Sequence, residues 1–116
     1  EVKVHVINYL PLNSPILKLR CQSKDNDLGY HTLPVNNDYH WSFCETLFGQ
    51  TLFFCRFYWG SKQKVFDVFR AKYSREYNSE HFWLAKSDGF YYATENLTSS
   101  FTKRFDWSRI QQYYVL

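Results

Sequence analysis

Large aromatic residues at alternate positions constrain the fold of this chain more than any other feature. Tyr39, Trp41 and Phe43 alternate with polar residues, and residues 51–59 (TLFFCRFYW) are almost continuously apolar. Aromatic residues make up 22% of the sequence, and methionine is absent. A period of two is typical of half-buried strands, whose pleated faces pack large flat side chains well. The pattern therefore favours an all-β fold over a helical bundle.

Turn residues divide the chain into strand-like segments. Val2, Val4 and Val6 alternate with polar residues at the start, and the prolines and asparagines of residues 8–15 end that segment. The unbroken apolar run at residues 51–59 is typical of a central strand. About eight such segments at a spacing of roughly 8–12 residues predict a β-sandwich or a barrel.

Three further elements are predicted: a hairpin, a long connection and a last strand. Asp88-Gly89 between two aromatic runs is the strongest hairpin signal in the sequence. Residues 22–38 are polar and are predicted to form a long connection, and residues 110–116 are predicted to form the last strand.

Length and charge limit the class of protein. A chain of 116 residues corresponds to a single domain, residues 1–116. Its net charge of +3 is not gathered into a basic stripe, so we expect no nucleic-acid partner. No apolar run approaches the roughly 20 residues of a membrane span, so we expect no membrane insertion. Because the sequence starts at Glu1 rather than Met, we expect a trimmed, exported product.

Three cysteines allow one internal disulfide and leave one thiol over. Cys21 shares its strand face with Leu19, and Cys55 shares its face with Phe57, so both are predicted to point into a core. Cys44 has the opposite parity from its aromatic neighbours. Side-chain parity therefore favours a bridge between Cys21 and Cys55.

Two alternatives to this pairing stay open from the residues alone. Cys44 would face Cys55 if residues 49–50 formed a two-residue hairpin turn. Three reduced, buried thiols would instead suit a cytosolic protein. The triplet that begins at Asn96 (NLT) is an acceptor sequence for N-glycosylation, and together with a disulfide it favours secretion.

The sequence shows no pattern typical of catalysis or metal binding. The four histidines lack the spacing of a metal-ligand set: His5, His31, His40 and His81. We expect His5 and His40 on solvent-side strand positions, and Asp25 and Asp27 to cap turns in a polar loop. The chain is therefore predicted not to be an enzyme and to have no catalytic, metal or cofactor site.

Several stretches, in the right order, resemble the motifs of one protein family. Residues 21–29 (CQSKDNDLG) resemble the family pattern C-x-S-K-[DN]-[DN]-D-L-G, and residues 51–59 resemble its T-L-F-x-C-x-F-x-W core. Residues 66–69 resemble its F-D-V-[FY] strand, and residues 6–10 resemble its opening V-x-N-x-L. Over nearly its whole length, the chain thus resembles the plant self-incompatibility S-protein homologues.

This resemblance implies an antiparallel two-sheet β-sandwich of about eight strands in a small secreted plant protein. The founding members of the family are stigma-secreted signals that pollen recognises. The resemblance thus implies a signalling ligand, of the kind used in pollination, whose partner is a cell-surface receptor. We expect a monomer without a cofactor. The receptor-binding residues are not assigned.

The cysteine pattern of the family also bears on the disulfide. The resemblance supports the bridge between Cys21 and Cys55 and leaves Cys44 free or as an alternative partner. Family members usually carry a second pair of cysteines after the F-D-V-[FY] strand. This chain has none there, and Phe82 stands where a cysteine often precedes Trp83.

A second hypothesis is an extracellular carbohydrate- or small-molecule-binding module without catalysis. Exposed aromatics would form its face: Tyr91, Tyr92, Tyr113 and Tyr114. Under either hypothesis, the connections at residues 22–38, 70–80 and 94–100 are candidate contact regions, because loops on a rigid scaffold carry specificity.

Overall fold

The computed structural model describes residues 1–44, 51–71, 79–94 and 100–109, which form ten strands in two five-stranded sheets. The strands are β1 Val2–Asn8, β2 Leu17–Gln22, β3 Asp27–Leu33, β4 Asp38–Phe43, β5 Leu52–Trp59, β6 Lys62–Arg70, β7 Ser79–Lys86, β8 Gly89–Thr94, β9 Thr102–Phe105 and β10 Ser108–Arg109. The predicted two-sheet β-sandwich is confirmed, with ten described strands instead of about eight. Within these ranges, no helix is long and apolar enough to cross a membrane.

The two sheets have simple strand orders. The first sheet runs β4-β1-β7-β8-β9, and the second runs β10-β6-β5-β2-β3. Every neighbouring pair is antiparallel except β1 and β7, which are parallel. β5 lies in the middle of the second sheet, as its continuous apolar sequence predicts.

The core lies between the sheets and is filled by alternate residues of their strands. Val4 and Val6 of β1, Leu17 and Leu19 of β2 and Phe57 of β5 are each 0% exposed. Burial of a side chain of this size contributes about 1.5–3 kcal/mol. The period of two in the sequence is therefore the pattern of the buried face.

Aromatic rings pack against one another where β6 faces the first sheet. The Phe66 ring contacts the rings of Trp83, Phe90 and Phe105, with centroid distances from 4.4 to 4.9 Å. The Trp83 indole N–H donates a hydrogen bond to the Val68 carbonyl at 3.0 Å, which joins β7 to β6. Buried aromatics thus supply both contact area and one polar link between the sheets.

The predicted hairpin is formed by β7 and β8. Lys86 pairs with Gly89, so Ser87 and Asp88 form a two-residue loop. Gly89 has a φ of 144°, and a Cβ at this position would lie 2.2 Å from the Phe105 carbonyl oxygen. Glycine is required here because the β9 backbone passes so close.

The prediction that residues 22–38 form a connection throughout is wrong, because β3 occupies Asp27–Leu33. β3 lies at the edge of the second sheet, and of its seven residues only Leu33 is buried. An edge strand that covers little of the core needs few apolar residues, so its polar sequence resembles a loop. The strand predicted at residues 110–116 lies outside the described residues.

Candidate functional site

A disulfide joins the two strands on which the candidate recognition surface is built. The register of β2 against β5 places Cys21 opposite Cys55, with Cα atoms 4.1 Å apart. The structure bridges these two cysteines, the pairing that parity and the family resemblance favour, and both are fully buried. Cys44 is exposed and has a free thiol.

The outer side of the second sheet carries a surface that we call the basic–aromatic face. It consists of Lys18 and Arg20 of β2, Tyr30 of β3, and Arg56 and Tyr58 of β5. These residues alternate with core residues, so their side chains stand on the opposite side of the sheet from the disulfide. Tyr30 is 51% exposed, and Lys18 and Arg56 are exposed as well.

The cations of this face are arranged around a tyrosine ring. The Lys18 ammonium lies 4.5 Å from the Tyr30 ring centroid, and the Arg20 guanidinium lies 4.9 Å from it. Arg20 also forms a salt bridge with Asp27. Hydrogen bonds from Arg20 and from the Gly29 backbone N–H lower the Asp27 pKa to about 2, so this carboxylate is ionised at physiological pH.

Asp27 offsets one positive charge, but Lys18 and Arg56 add two more to the same side of the sheet. Arg20 and Arg56 also face each other directly in the β2–β5 register. Like charges in directly opposed positions destabilise a sheet. An anionic group supplied by a partner would relieve this repulsion, so the face is suited to acidic surfaces.

A cleft opens between the sheets on the side where β6 faces β7, β8 and β9. Its volume is about 750 Å³, within the range of small-molecule sites. The residues that line it are Phe66, Asp67, Val68, Phe69, Arg70, His81, Trp83, Tyr92, Arg104 and Phe105. The Arg104 guanidinium lies 5.0 Å from the Tyr92 ring centroid, so aromatic and cationic groups meet at this cleft.

His81 lies against the cleft and is only 5% exposed. One ring nitrogen lies 2.7 Å from the Tyr92 hydroxyl and the other lies 3.1 Å from the Ser79 hydroxyl. Burial lowers the His81 pKa to about 4, and it raises the Tyr92 pKa. Both groups are therefore neutral at physiological pH, and the hydrogen bonds of His81 to Tyr92 and Ser79 satisfy its buried ring in the wall of the cleft.

On the outer side of the first sheet, strand pairing brings together what we call the His5 cluster: His5, Asp38, His40 and Glu80. The His5 Nδ1 atom lies 2.8 Å from Asp38 Oδ2, and its Nε2 atom lies 3.0 Å from Glu80 Oε2. The His40 Nδ1 atom lies 3.7 Å from Asp38 Oδ1. His40 is exposed, as predicted.

His5 is on the outer, solvent-side face of the first sheet, as predicted, but only 9% of the residue is exposed because neighbouring side chains cover it. β4 and β7 flank β1, and the Phe82 ring stacks on the imidazole with a centroid distance of 4.5 Å. Ligand spacing along the chain did not reveal the cluster, because Asp38 and Glu80 are 33 and 75 residues away from His5. Only the pairing of β1 with β4 and β7 brings them together.

The structure separates the aromatics that were predicted to form one face. Tyr91 and Tyr92 are consecutive in β8, and only Tyr92 lines the cleft. The Tyr91 hydroxyl instead donates a hydrogen bond to Asp88 at 2.6 Å on the outer side of the first sheet. The predicted joint face is therefore wrong, because consecutive strand residues point to opposite sides. Tyr113 and Tyr114 lie outside the described residues.

Other predicted sites have different outcomes. Asp27 caps a turn, as predicted, because it accepts a hydrogen bond from the Gly29 N–H at 2.9 Å. Asp25 is exposed. The glycosylation acceptor Asn96 lies outside the described residues, as do most of the predicted contact regions at residues 70–80 and 94–100.

Fold and disulfide together define a small all-β sandwich stapled within one of its sheets. A family model described as "Plant self-incompatibility protein S1" matches residues 3–107. The chain belongs to the plant self-incompatibility S-protein homologue family, whose members are secreted proteins.

Individual relatives in Arabidopsis thaliana agree with this assignment. S-protein homolog 5 is 38% identical over 67% of this chain and 61% of its own length. S-protein homolog 20 is 40% identical over 76% of this chain and 66% of its own length, and S-protein homolog 27 is 36% identical over 82% and 63%. The matches thus span less than two thirds of the length of these relatives. No solved structure matches the chain.

Proposed function

We propose that this chain acts outside the plant cell as a secreted recognition protein of the self-incompatibility type, and that its partner is a cell-surface receptor protein. Membership of a family of secreted proteins supports the location. A disulfide between two central strands also suits an oxidising compartment, because cytosolic thiols are kept reduced.

The basic–aromatic face is the observation that carries the proposed function. Tyrosine and arginine are enriched at the centres of protein–protein interfaces. Tyrosine offers contact area at a low entropic cost, and the arginine guanidinium binds carboxylates in a bidentate geometry. Here Tyr30 and Arg56 are exposed on one side of a sheet that the disulfide holds together. Excess positive charge on this side favours a receptor with an acidic surface.

A role without catalysis fits what is known of the relatives. S-protein homologues are not known as enzymes. In this chain, His81 is buried and hydrogen-bonded on both ring nitrogens, which suits a structural role at the cleft. We therefore propose binding as the whole activity of the domain.

The cleft supports a second candidate function, the binding of a carbohydrate or another small molecule. Its aromatic lining would stack on an apolar ring face, and Arg104 would attract an acidic substituent. This function would place the ligand between the sheets and leave the basic–aromatic face uncovered.

The two functions are separated by binding of labelled protein to plant cells. A receptor ligand should bind saturably, should be displaced by unlabelled protein, and should lose its sites when the cells are treated with protease. Binding that survives protease, together with saturable binding on a glycan array, would contradict the receptor function. If the glycan binding were also lost in the variant Arg104→Ala, the second candidate function would be established instead.

A further inference from the structure

We propose that His5, Asp38 and His40 form a binding site for a divalent transition-metal ion of the zinc type. The site is on the outer side of the first sheet, away from the basic–aromatic face, and does not depend on the proposed receptor function. It is built by strand register, since His5 of β1 lies directly opposite His40 of β4 and Asp38 lies two residues before His40.

The distances suit a metal ion. The candidate ligand atoms of the three residues all lie within 4.8 Å of one another. Bonds of about 2.0–2.2 Å in a tetrahedral zinc site place neighbouring ligand atoms about 3.4 Å apart. The contacts of Asp38 with His5 and His40, at 2.8 and 3.7 Å, are on either side of that value. Metal binding would lengthen the His5–Asp38 contact and shorten the His40–Asp38 contact, an adjustment that the exposed Asp38 and His40 side chains would make.

The two carboxylates around His5 favour a cation beside its ring. Both ring nitrogens face carboxylates, Nδ1 towards Asp38 at 2.8 Å and Nε2 towards Glu80 at 3.0 Å. When an N–H at Nε2 is donated to Glu80, the lone pair of Nδ1 is left for a second cation, and either a proton or a metal ion between Nδ1 and Asp38 makes that contact attractive.

A metal ion at Nδ1 would satisfy all of these groups together. The ion would accept the Nδ1 lone pair and an Asp38 oxygen, while the Nε2 N–H continued to donate to Glu80. A carboxylate that accepts the second N–H of a ligating histidine is the usual support of such sites, because it fixes the ring and makes it more basic. Glu80 is thus the positioning residue of the proposed site.

One proposed ligand is buried and the other two are exposed, an arrangement that favours binding of a metal ion from solution. His5 is 9% exposed and is held by the stacked Phe82 ring, so its orientation is set before a metal ion arrives. The side chains of Asp38 and His40 are 35% and 56% exposed, which leaves the site open to solvent. Two imidazoles and a carboxylate are a donor set that zinc, nickel and copper accept.

The test uses Zn²⁺ alone as the probe and protein without an affinity tag. Cys44→Ser serves as the parent, because the exposed thiol is itself a zinc ligand. Calorimetric titration should show one Zn²⁺ per chain, and His40→Gln or Asp38→Asn should abolish this binding. Glu80→Gln should weaken it by about 10- to 100-fold, the usual effect of losing such a support. His31→Gln, which removes an imidazole outside the cluster, should bind as the parent does.

Two results would overturn the metal site. One is no saturable Zn²⁺ binding by the parent, which would mean that a proton alone bridges His5 and Asp38. The other is equal binding by the parent and His40→Gln, which would place the ion elsewhere. The substitutions His40→Gln and Asp38→Asn alter exposed side chains, and circular dichroism of each variant establishes that it is folded. Failure of the metal site would leave the proposed receptor function untouched.

Discussion

At the scale of the residue, one buried asparagine fixes the point at which the first strand ends. The Asn8 side-chain amide donates to the Leu33 carbonyl at 2.8 Å, and its carbonyl oxygen accepts from the Leu10 N–H at 2.9 Å. Its backbone also bonds to Asn36 and Asn37 in the turn before β4. The asparagine of the family pattern V-x-N-x-L therefore joins β1 to the end of β3 and to that turn.

Asn8→Ala should lower the free energy of unfolding by about 2 kcal/mol, because the Leu33 carbonyl and the Leu10 N–H would remain buried without a partner. Urea denaturation measures this value. Asn37→Ala, at an exposed position, should change it by less than about 0.5 kcal/mol. Equal stability of Asn8→Ala and the parent would show that Asn8 does not hold these segments together.

His81 provides the second prediction at this scale. Burial lowers its pKa to about 4 from the ordinary value of 6.5, so the unfolded chain takes up a proton that the folded chain does not. The free energy of unfolding should therefore fall as the pH is lowered from 6.5 to 4, with a contribution of about 3 kcal/mol from this group.

Urea denaturation of His81→Gln across the same pH range checks this contribution. The variant should lose less stability between the two pH values than the parent does, because glutamine does not titrate. His31→Gln is the matched control and should keep the steeper loss. Parallel pH profiles for the parent and His81→Gln would contradict the assignment of a buried neutral histidine.

At the scale of the element, the disulfide holds β2 to β5 within one sheet, and its cysteines are 34 positions apart in the sequence. Replacement of both Cys21 and Cys55 by alanine should lower the free energy of unfolding by about 4 kcal/mol, because the unfolded chain gains conformational entropy when the cross-link is absent. Denaturant titration measures the loss. Cys44→Ser should leave stability unchanged within about 0.5 kcal/mol, since its thiol is exposed. A loss confined to Cys44→Ser would contradict the pairing.

Strands that carry a clear local signal were predictable, and those that depend on tertiary context were not. The apolar run of β5 predicted a central strand, and Asp88-Gly89 predicted the β7–β8 hairpin. β3 was missed because its sequence shows no alternation of apolar residues. It also contains Gly29, whose φ of 79° is outside the range of a regular strand. Edge strands are specified by their neighbours more than by their own sequence.

The candidate sites, like the strands, were predictable only where a local sequence pattern specifies them. The alternation in β2 places Lys18 and Arg20 opposite Leu17 and Leu19, so one strand of the basic–aromatic face was visible in the sequence. Its neighbours were not, because the placement of Arg56 beside Arg20 depends on the β2–β5 register. The His5 cluster depends in the same way on pairings between distant strands.

At the scale of the whole molecule, the two sheets present outer sides of different chemistry. The outer side of the first sheet carries a small apolar cluster of Ile7, Phe82 and Leu84, each at most 6% exposed, against which Tyr91 and Phe101 pack. The second sheet exposes the basic–aromatic face, with Tyr30 51% exposed. The second sheet thus offers an acidic partner both charge and contact area on its outer side.

Charge reversal on this side is the most direct test of the recognition function. Lys18→Glu/Arg56→Glu alters the basic–aromatic face, and Lys3→Glu/Lys86→Glu makes the same change of charge on β1 and β7 of the first sheet. The measurement is saturable binding of each labelled variant to plant cells, with folding established by circular dichroism. The proposed function predicts that the first variant binds at least about tenfold more weakly than the parent, with a smaller salt dependence, while the second binds as the parent does. Equal affinity of the two variants would contradict recognition through the basic–aromatic face.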